Sequence, residues 1–312
     1  MAAIDQPILT DIYEEASSFV PVTDSAYIFM RSVEERSGHI ESWRDRASAT
    51  TFVEVAETSN FEVTALVSGR KYSVMLRSSE SLASLWSDIH ASAIYIDMTG
   101  FAHHVWAPLL RAALISRRDV MVVYVEPSDY KHSAAPIEGQ IFDLSERIEG
   151  IAPLPGFAFL GATPEADTLF VPLLGFEGTR FSYLLEQVQP NIDRVIPIVG
   201  VPGFKLEYPF HTYQGNKRPL EQTGSWRRVR FATANCPFSL FYLLEELARL
   251  HPRSVLQVAP IGTKPHALGA ILFKIVSSRA VEIVYDFPLR KSGRTRGSDR
   301  LLVYYVSAIG AG

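Results

Sequence analysis

The sequence predicts an α/β protein with two Rossmann-like halves, each containing a mainly parallel sheet. The first observation is that short apolar runs, such as residues 93–97 and 255–260, alternate with longer segments of helical spacing. This alternation is typical of βαβ units. The second is that one such unit recurs, with matching residues, in both halves of the chain. We therefore expect two related sheets and an internal duplication.

In the first half, an apolar run at residues 26–33 leads into a predicted helix over residues 34–47 that buries Ile40 and Trp43. Alternating residues around Ser68-Gly69-Arg70-Lys71 predict a hairpin. A short helix is expected at residues 81–90, with Ser79 or Ser81 as its cap. The remaining predicted strands are 51–56, 62–67, 72–76, 93–97 and 120–126, and a second helix covers 105–118.

In the second half, strand and helix again alternate. The segment 201–224 is expected to be a long loop, and long loops in compact domains are often functional. The predicted strands are 169–176, 194–200, 229–234, 255–260, 280–288 and 301–307. The predicted helices are 181–189, 237–251 and 270–279.

The predicted domain organisation has three parts. Residues 1–130 form an N-terminal Rossmann-like half, and residues 169–312 form a C-terminal Rossmann-like half. Residues 131–168, which are rich in proline and glycine, are the best candidate for a connector. Because this segment is not uniformly polar, we expect it to pack on the surface.

Composition excludes several classes of protein. The 312 residues are 47% hydrophobic and 21% charged, as in an ordered, well-packed protein. The net charge is −4, so a binding site for an anion must arise locally. A single cysteine excludes an intrachain disulfide and a cysteine-based zinc site. Without a signal peptide or a long apolar run, the expectation is a cytoplasmic protein with no membrane contact.

The internal repeat links two strand-turn-helix-strand segments. Gly100 corresponds to Gly262, and His104 corresponds to His266 at the same spacing. Both second strands end in an aromatic residue, two others and a proline, YVEP and YDFP. A duplication of this kind predicts a ligand site where the two equivalent turns approach each other.

The leading candidate for a ligand site is the turn Gly262-Thr263-Lys264. Glycine permits close approach of the backbone, Thr263 can cap the following helix, and Pro265 suits a first helical turn. Lys264 adds a positive charge beside the helix N-terminus. Together these residues favour a phosphate or another anion.

The equivalent turn in the first half is Thr99-Gly100, which completes the predicted ligand site. His104 and His266 follow the two turns, and they and Asp286 are the catalytic candidates if the protein is an enzyme. His103 and His104 are adjacent, and adjacent side chains on a helix point in different directions, so no metal site is expected. Neither GxGxxG nor GxxxxGK[ST] occurs, so no cofactor is predicted.

A basic loop follows the second repeat. It is predicted to cover an anionic ligand or, alternatively, to be a solvated hairpin between the last two strands. Arginine is suited to phosphate recognition. The ligand-binding candidates in this loop are Arg290, Lys291, Arg294 and Arg296.

The segment IGTKPHALG, residues 261–269, resembles the corresponding segment of CARF domains, the CRISPR-associated Rossmann-fold sensors. This resemblance implies a pair of Rossmann-like modules around a cyclic oligonucleotide, usually in a dimer, and a role in antiviral defence. The first-half turn TGFAHH departs from the pattern because it has no lysine, which puts symmetric ligand contacts in doubt.

Three hypotheses for function remain. The first is a binding protein that senses a nucleotide or another phosphorylated ligand and acts through a partner protein. The second is a hydrolase or transferase acting on a nucleotide-like substrate. The third is a scaffold subunit whose basic loop contacts nucleic acid or a protein, with binding that depends strongly on salt.

Overall fold

The computed structural model describes residues 9–137, 140–159, 161 and 167–311 of the chain. These residues form two compact units. One contains residues 9–130, 154–156 and 295–311, and the other contains the described residues of 131–153 and 157–294. We call them the eight-stranded unit and the five-stranded unit after their main sheets.

Strands and helices alternate through most of the described residues. The strands are β1 (Thr10–Tyr13), β2 (Ser25–Phe29), β3 (Thr50–Ser59), β4 (Glu62–Val67), β5 (Arg70–Met75), β6 (Ala93–Asp97), β7 (Asp119–Val125), β8 (Asp129–Tyr130), β9 (His132–Ile137), β10 (Gln140–Phe142), β11 (Ser145–Ile148), β12 (Thr168–Leu173), β13 (Ile198–Gly200), β14 (Arg230–Ala232), β15 (Val255–Pro260), β16 (Val281–Ile283), β17 (Pro288–Arg290), β18 (Thr295–Arg296) and β19 (Leu301–Tyr305). The α-helices are α1 (Ser79–Ser87), α2 (His103–Ile115), α3 (Gly178–Val188), α4 (Tyr208–Gln222), α5 (Pro237–Leu250) and α6 (Lys264–Val276).

The eight-stranded unit has a sheet that is parallel only at its centre. Its strand order is β1-β19-β7-β6-β2-β3-β4-β5, and the four strands β7, β6, β2 and β3 are parallel. The outer strands are antiparallel, with β19 beside β7 and the β4–β5 hairpin beside β3. The central strands are almost continuously apolar because both faces of a parallel sheet are covered.

An aromatic cluster fills one side of this unit. Tyr27 on β2 and Trp43 have ring centroids 4.9 Å apart, and Phe19 meets Trp43 edge-on at 5.1 Å. Trp43 follows a 3₁₀ segment, Glu35–Ser42, in which Ile40 is also buried. The prediction that Ile40 and Trp43 face inward is therefore confirmed, although the segment is 3₁₀ and not α-helical.

The five-stranded unit has an entirely parallel sheet. Its order is β14-β13-β12-β15-β16, so the first strand lies at the centre, and the second and third strands lie on one side of it. This is the order of the first five of the six strands in a doubly wound dinucleotide-binding sheet. The strand order reverses between β12 and β15. These two strands are parallel and are paired from Thr168↔Val255 to Leu173↔Pro260.

The mixed α/β class is confirmed, with one sheet partly parallel and one fully parallel. The two sheets share an order of four parallel strands, second-first-third-fourth, if the β4–β5 hairpin and β14 are set aside. A duplication of the halves stays a prediction.

Two predictions of local structure are wrong. The segment 201–224 is not a long loop, because residues 208–222 form α4. The cap of α1 is Ser78, whose side chain accepts a hydrogen bond from Ser81 N at 3.1 Å. The N-terminal segment contributes β1, an edge strand beside β19, and a short 3₁₀ turn at Ala16–Ser18.

The structural units differ from the predicted division at 130 and 168. Residues 131–153 belong to the five-stranded unit, and the final strand β19 belongs to the eight-stranded unit. Residues 138–139, 160 and 162–166 of the predicted connector lie outside the described residues, as do residues 1–8. In the part of the chain that the structure describes, no helix has the length and apolar character needed to cross a membrane.

Candidate ligand-binding site

The predicted turn Gly262-Thr263-Lys264 lies at the carboxyl edge of the five-stranded sheet. It joins β15 to the first turn of α6. Its neighbour across the sheet is the turn after β12, on the other side of the topological switch, where the strand order reverses. Ligands of open α/β sheets bind in this position, outside the carboxyl ends of the strands at such a switch.

Gly262 is required by the packing of these two turns. A Cβ atom at Gly262 would lie 2.6 Å from the main-chain oxygen of Leu174, and one at Gly175 would lie 2.7 Å from that of Ile261. Gly262 therefore allows the close approach of another part of the protein backbone, whereas the sequence had suggested the close approach of a ligand. The main-chain N–H groups of Gly262 and Thr263 have no acceptor among the described residues, and both residues are partly exposed.

Thr263 caps α6, as predicted. Its hydroxyl accepts a hydrogen bond from His266 N at 3.3 Å and donates one to Ala234 O at 2.8 Å. Both hydrogen bonds of this hydroxyl are therefore within the protein, one at the start of α6 and one to the turn after β14. The main-chain N–H of Thr263 has no such partner among the described residues.

Lys264 is the first residue of α6, and only 6% of its surface is exposed. The N-terminus of a helix carries a partial positive charge, and the ammonium group of Lys264 adds a full charge in the first turn. An anion at this point is stabilised by both. Pro265 follows, where its missing N–H costs no helical hydrogen bond.

His266 is completely buried one turn into α6. Its Nε2 lies 3.0 Å from Thr233 O, and because a carbonyl oxygen only accepts, the proton is on Nε2. Burial lowers the pKa of His266 to about 4, so the ring is neutral near pH 7. Its Nδ1 has no hydrogen-bond partner among the described residues. The Cε1 edge of the ring faces Gly200, at the end of β13.

Asp286 is fully buried and bound to Arg180. The guanidinium donates to both carboxylate oxygens, from Nε at 2.7 Å and from Nη2 at 2.6 Å. It also donates to Ile261 O at 3.1 Å, so the pair fixes the turn before Gly262. Burial alone would lower the pKa of Arg180, but the charge of Asp286 raises it overall. A carboxylate held in this way is a structural anchor.

The equivalent turn, Thr99-Gly100, belongs to the eight-stranded unit. A Cβ atom at Gly100 would clash with the main-chain oxygen of Met30, which follows β2. The hydroxyl of Thr99 accepts a hydrogen bond from Val125 N at 3.0 Å. His104, on α2, lies 2.6 Å from a carboxylate oxygen of Glu57 through its Nε2.

Sequence reasoning missed the partner of Asp97 at the end of β6. His39 Nε2 lies 2.9 Å from Asp97, and His39 Nδ1 accepts a hydrogen bond from Trp43 Nε1 at 3.2 Å. Burial raises the pKa of Asp97, but the neighbouring His39 and the hydrogen bonds to Thr99 outweigh this and lower it. The sequence did contain one indication that His39 is buried. It lies four residues before Trp43, which was predicted to face inward, and such a spacing places both on one face of a helix.

The basic loop is not a hairpin between the last two strands. Instead β17 pairs with β11 in the five-stranded unit, and β18 pairs with β8 in the eight-stranded unit. Lys291 forms an ion pair with Asp143, and Arg300 forms one with Glu126 at 2.9 Å. Part of the predicted positive charge is therefore neutralised, and a role in covering a ligand stays a prediction.

The predicted site residues are thus divided between the two units. Residues Gly262, Thr263, Lys264, His266, Asp286, Arg290, Lys291 and Arg294 belong to the five-stranded unit. Residues Thr99, Gly100, His104 and Arg296 belong to the eight-stranded unit. A site shared by the two turns stays a prediction.

Within the described residues, no group of three His, Cys, Asp or Glu side chains is arranged to hold a metal ion. Comparisons with protein families, with curated proteins and with solved structures found no match for this chain.

Proposed function

We propose that the five-stranded unit binds a phosphorylated, nucleotide-like small molecule at the start of α6. The observation that carries the proposal is the pair of main-chain N–H groups at Gly262 and Thr263. They have no acceptor among the described residues, and they precede a helix whose first residue is Lys264. The turn lies beside the point at which the strand order of a parallel sheet reverses.

An anion is the ligand that these groups favour. Consecutive main-chain donors and the positive end of a helix dipole bind phosphate without further side chains, and a lysine adds a point charge.

Aromatic side chains at the same edge support a nucleobase as the second part of the ligand. Phe176 lies in the turn after β12, is partly exposed and stacks on Phe142 with ring centroids 4.3 Å apart. Tyr208, at the start of α4, meets Phe176 edge-on at 5.1 Å. An aromatic ring can stack on any nucleobase, because every base has a flat aromatic face.

The environments of His266 and Asp286 favour binding over turnover. A general base works best with a pKa near the working pH, whereas burial lowers the pKa of His266 to about 4. The carboxylate of Asp286 is held by Arg180 at both oxygens. The hydrolase or transferase hypothesis would therefore need other catalytic residues.

Titration calorimetry with purified protein tests the proposal. The ligands are inorganic phosphate, adenine and guanine mononucleotides and cyclic oligonucleotides. We expect at least one nucleotide to bind more tightly than phosphate and to be recovered unchanged after incubation. If no nucleotide binds, the proposal fails, and if a product is released, the protein is an enzyme.

A further inference from the structure

A cavity of about 440 Å³ lies in the eight-stranded unit, between α1 and α2. This volume falls within the range of about 300–1,000 Å³ that is typical of small-molecule sites. The segment Pro155–Gly156 forms a third wall, and the side chain of Arg111 on α2 donates to the main-chain oxygen of Gly156. The space is therefore bounded by two helices and a tethered loop.

The walls of the cavity are mainly apolar. Leu82 and Trp86 contribute from α1, and Pro108 and Ile115 contribute from α2. Ile115 is 73% exposed, which leaves a large apolar side chain uncovered at the cavity. A ligand with an apolar body would be stabilised by covering this surface, at about 25 cal/mol per Å².

The charged side chains that line the cavity are all positive. They are Arg77, Arg111 and Arg118, and the lining contains no Asp or Glu. An apolar cavity with one sign of charge attracts ligands of the opposite sign, because the low-dielectric walls concentrate the field.

Arg118 is held in place without a carboxylate among the described residues. Its guanidinium donates to the main-chain oxygens of Trp86 and Ile89, both at 2.6 Å, and to Ser116 Oγ at 3.2 Å. These neutral acceptors fix its position and leave its charge uncompensated. Burial lowers the pKa of Arg118, which is the direction expected for such a cation.

Arg77 is exposed and lies over the ring of Phe61, 3.5 Å from its centroid. This contact orients an arginine at the junction of β5 and α1, beside the cavity. A cation held there can contact the anionic group of a ligand whose apolar part lies between the helices.

We propose that this cavity binds a small amphipathic anion, a carboxylate attached to an apolar body. The site is separate from the start of α6 and does not depend on the proposed function. The arginines select the charge of the ligand, and the walls from α1 and α2 accept its apolar part.

Calorimetric titration with monomeric decanoate tests this proposal, with decanol and decyltrimethylammonium as ligands of equal chain length. We expect decanoate to bind and the neutral and cationic compounds to bind at least tenfold more weakly. Equal affinity for all three compounds, or no binding of decanoate, would overturn the proposal.

Two kinds of variant place the binding in the cavity. Ala83→Trp and Ala112→Trp each fill it from one helix, and we expect either to lower decanoate affinity at least tenfold. Arg77→Glu should weaken binding roughly fivefold, whereas Lys71→Glu, the same charge change on an exposed β5 residue outside the lining, should not. Circular dichroism confirms folding of each variant. Wild-type affinity in both filled variants would contradict the assignment.

Discussion

Gly262 packs against the main-chain oxygen of Leu174, so closely that a Cβ atom would lie 2.6 Å from it. The two residues follow neighbouring parallel strands, β15 and β12, at the point where the strand order of the sheet reverses. Gly100 has the same relation to Met30 in the eight-stranded unit. In both units a glycine lets two strand-to-helix turns lie side by side.

Replacing this glycine should therefore destabilise the protein. We expect Gly262→Ala to lower the free energy of unfolding by about 1–3 kcal/mol, because a backbone neighbour cannot move as a flexible side chain can. Urea denaturation measures the change. Gly38→Ala is the control, since a Cβ there meets nothing within 4 Å. Equal stability of Gly262→Ala and the wild type would disprove the packing role.

The buried pair Arg180–Asp286 should act as a structural unit. Asp286→Ala leaves a buried guanidinium without its carboxylate and should cost about 3–5 kcal/mol of stability. Adding Arg180→Met should recover part of this loss, with a coupling energy of about 0.5–3 kcal/mol in a double-mutant cycle. Additive effects of the two substitutions would show that the pair is not coupled.

His266 should make stability depend on pH between 6.5 and 4. The unfolded state takes up a proton below pH 6.5, whereas burial lowers the pKa of the folded state to about 4. The contribution of the neutral ring to the free energy of unfolding is therefore fully present above pH 6.5. It decreases as the pH falls and does not change further below pH 4. The total change is roughly 3 kcal/mol.

His266→Gln tests this assignment, because glutamine can still donate to Thr233 O but does not titrate. Urea midpoints at pH 7 and pH 5 should differ less in the variant than in the wild type. The pKa of His251 is also lowered, by burial first, and this residue keeps its contribution in both proteins. An unchanged difference between the two midpoints would rule out His266 as the source.

The parallel core of the fold follows directly from sequence pattern. The predicted bounds of β6 and β15 are those observed, because a strand covered on both faces is an uninterrupted apolar run. The helix α4 was missed, and it contains Gly215 and Pro219, two residue types that disfavour a helix interior. Gly215 lies there because a Cβ would clash with Phe176 O, a tertiary contact that no local pattern reports.

The site was predictable to a smaller extent. The cap at Thr263 follows from the position of a threonine before a helical segment, and it is confirmed. The burial of His266 and the binding of Asp286 by Arg180 could not be predicted, because they depend on residues distant in the sequence. The ion pairs of Lys291 and Arg300 were missed for the same reason.

Removal of one charge tests whether a phosphorylated ligand binds at the start of α6. Lys264→Met keeps the apolar stem and removes the charge, and we expect nucleotide affinity in calorimetry to fall roughly ten- to a hundredfold. Lys274→Met, the same change in the last turn of α6, should leave the affinity at the wild-type value. If both variants bind as the wild type does, or lose affinity equally, the ligand does not bind at this helix start.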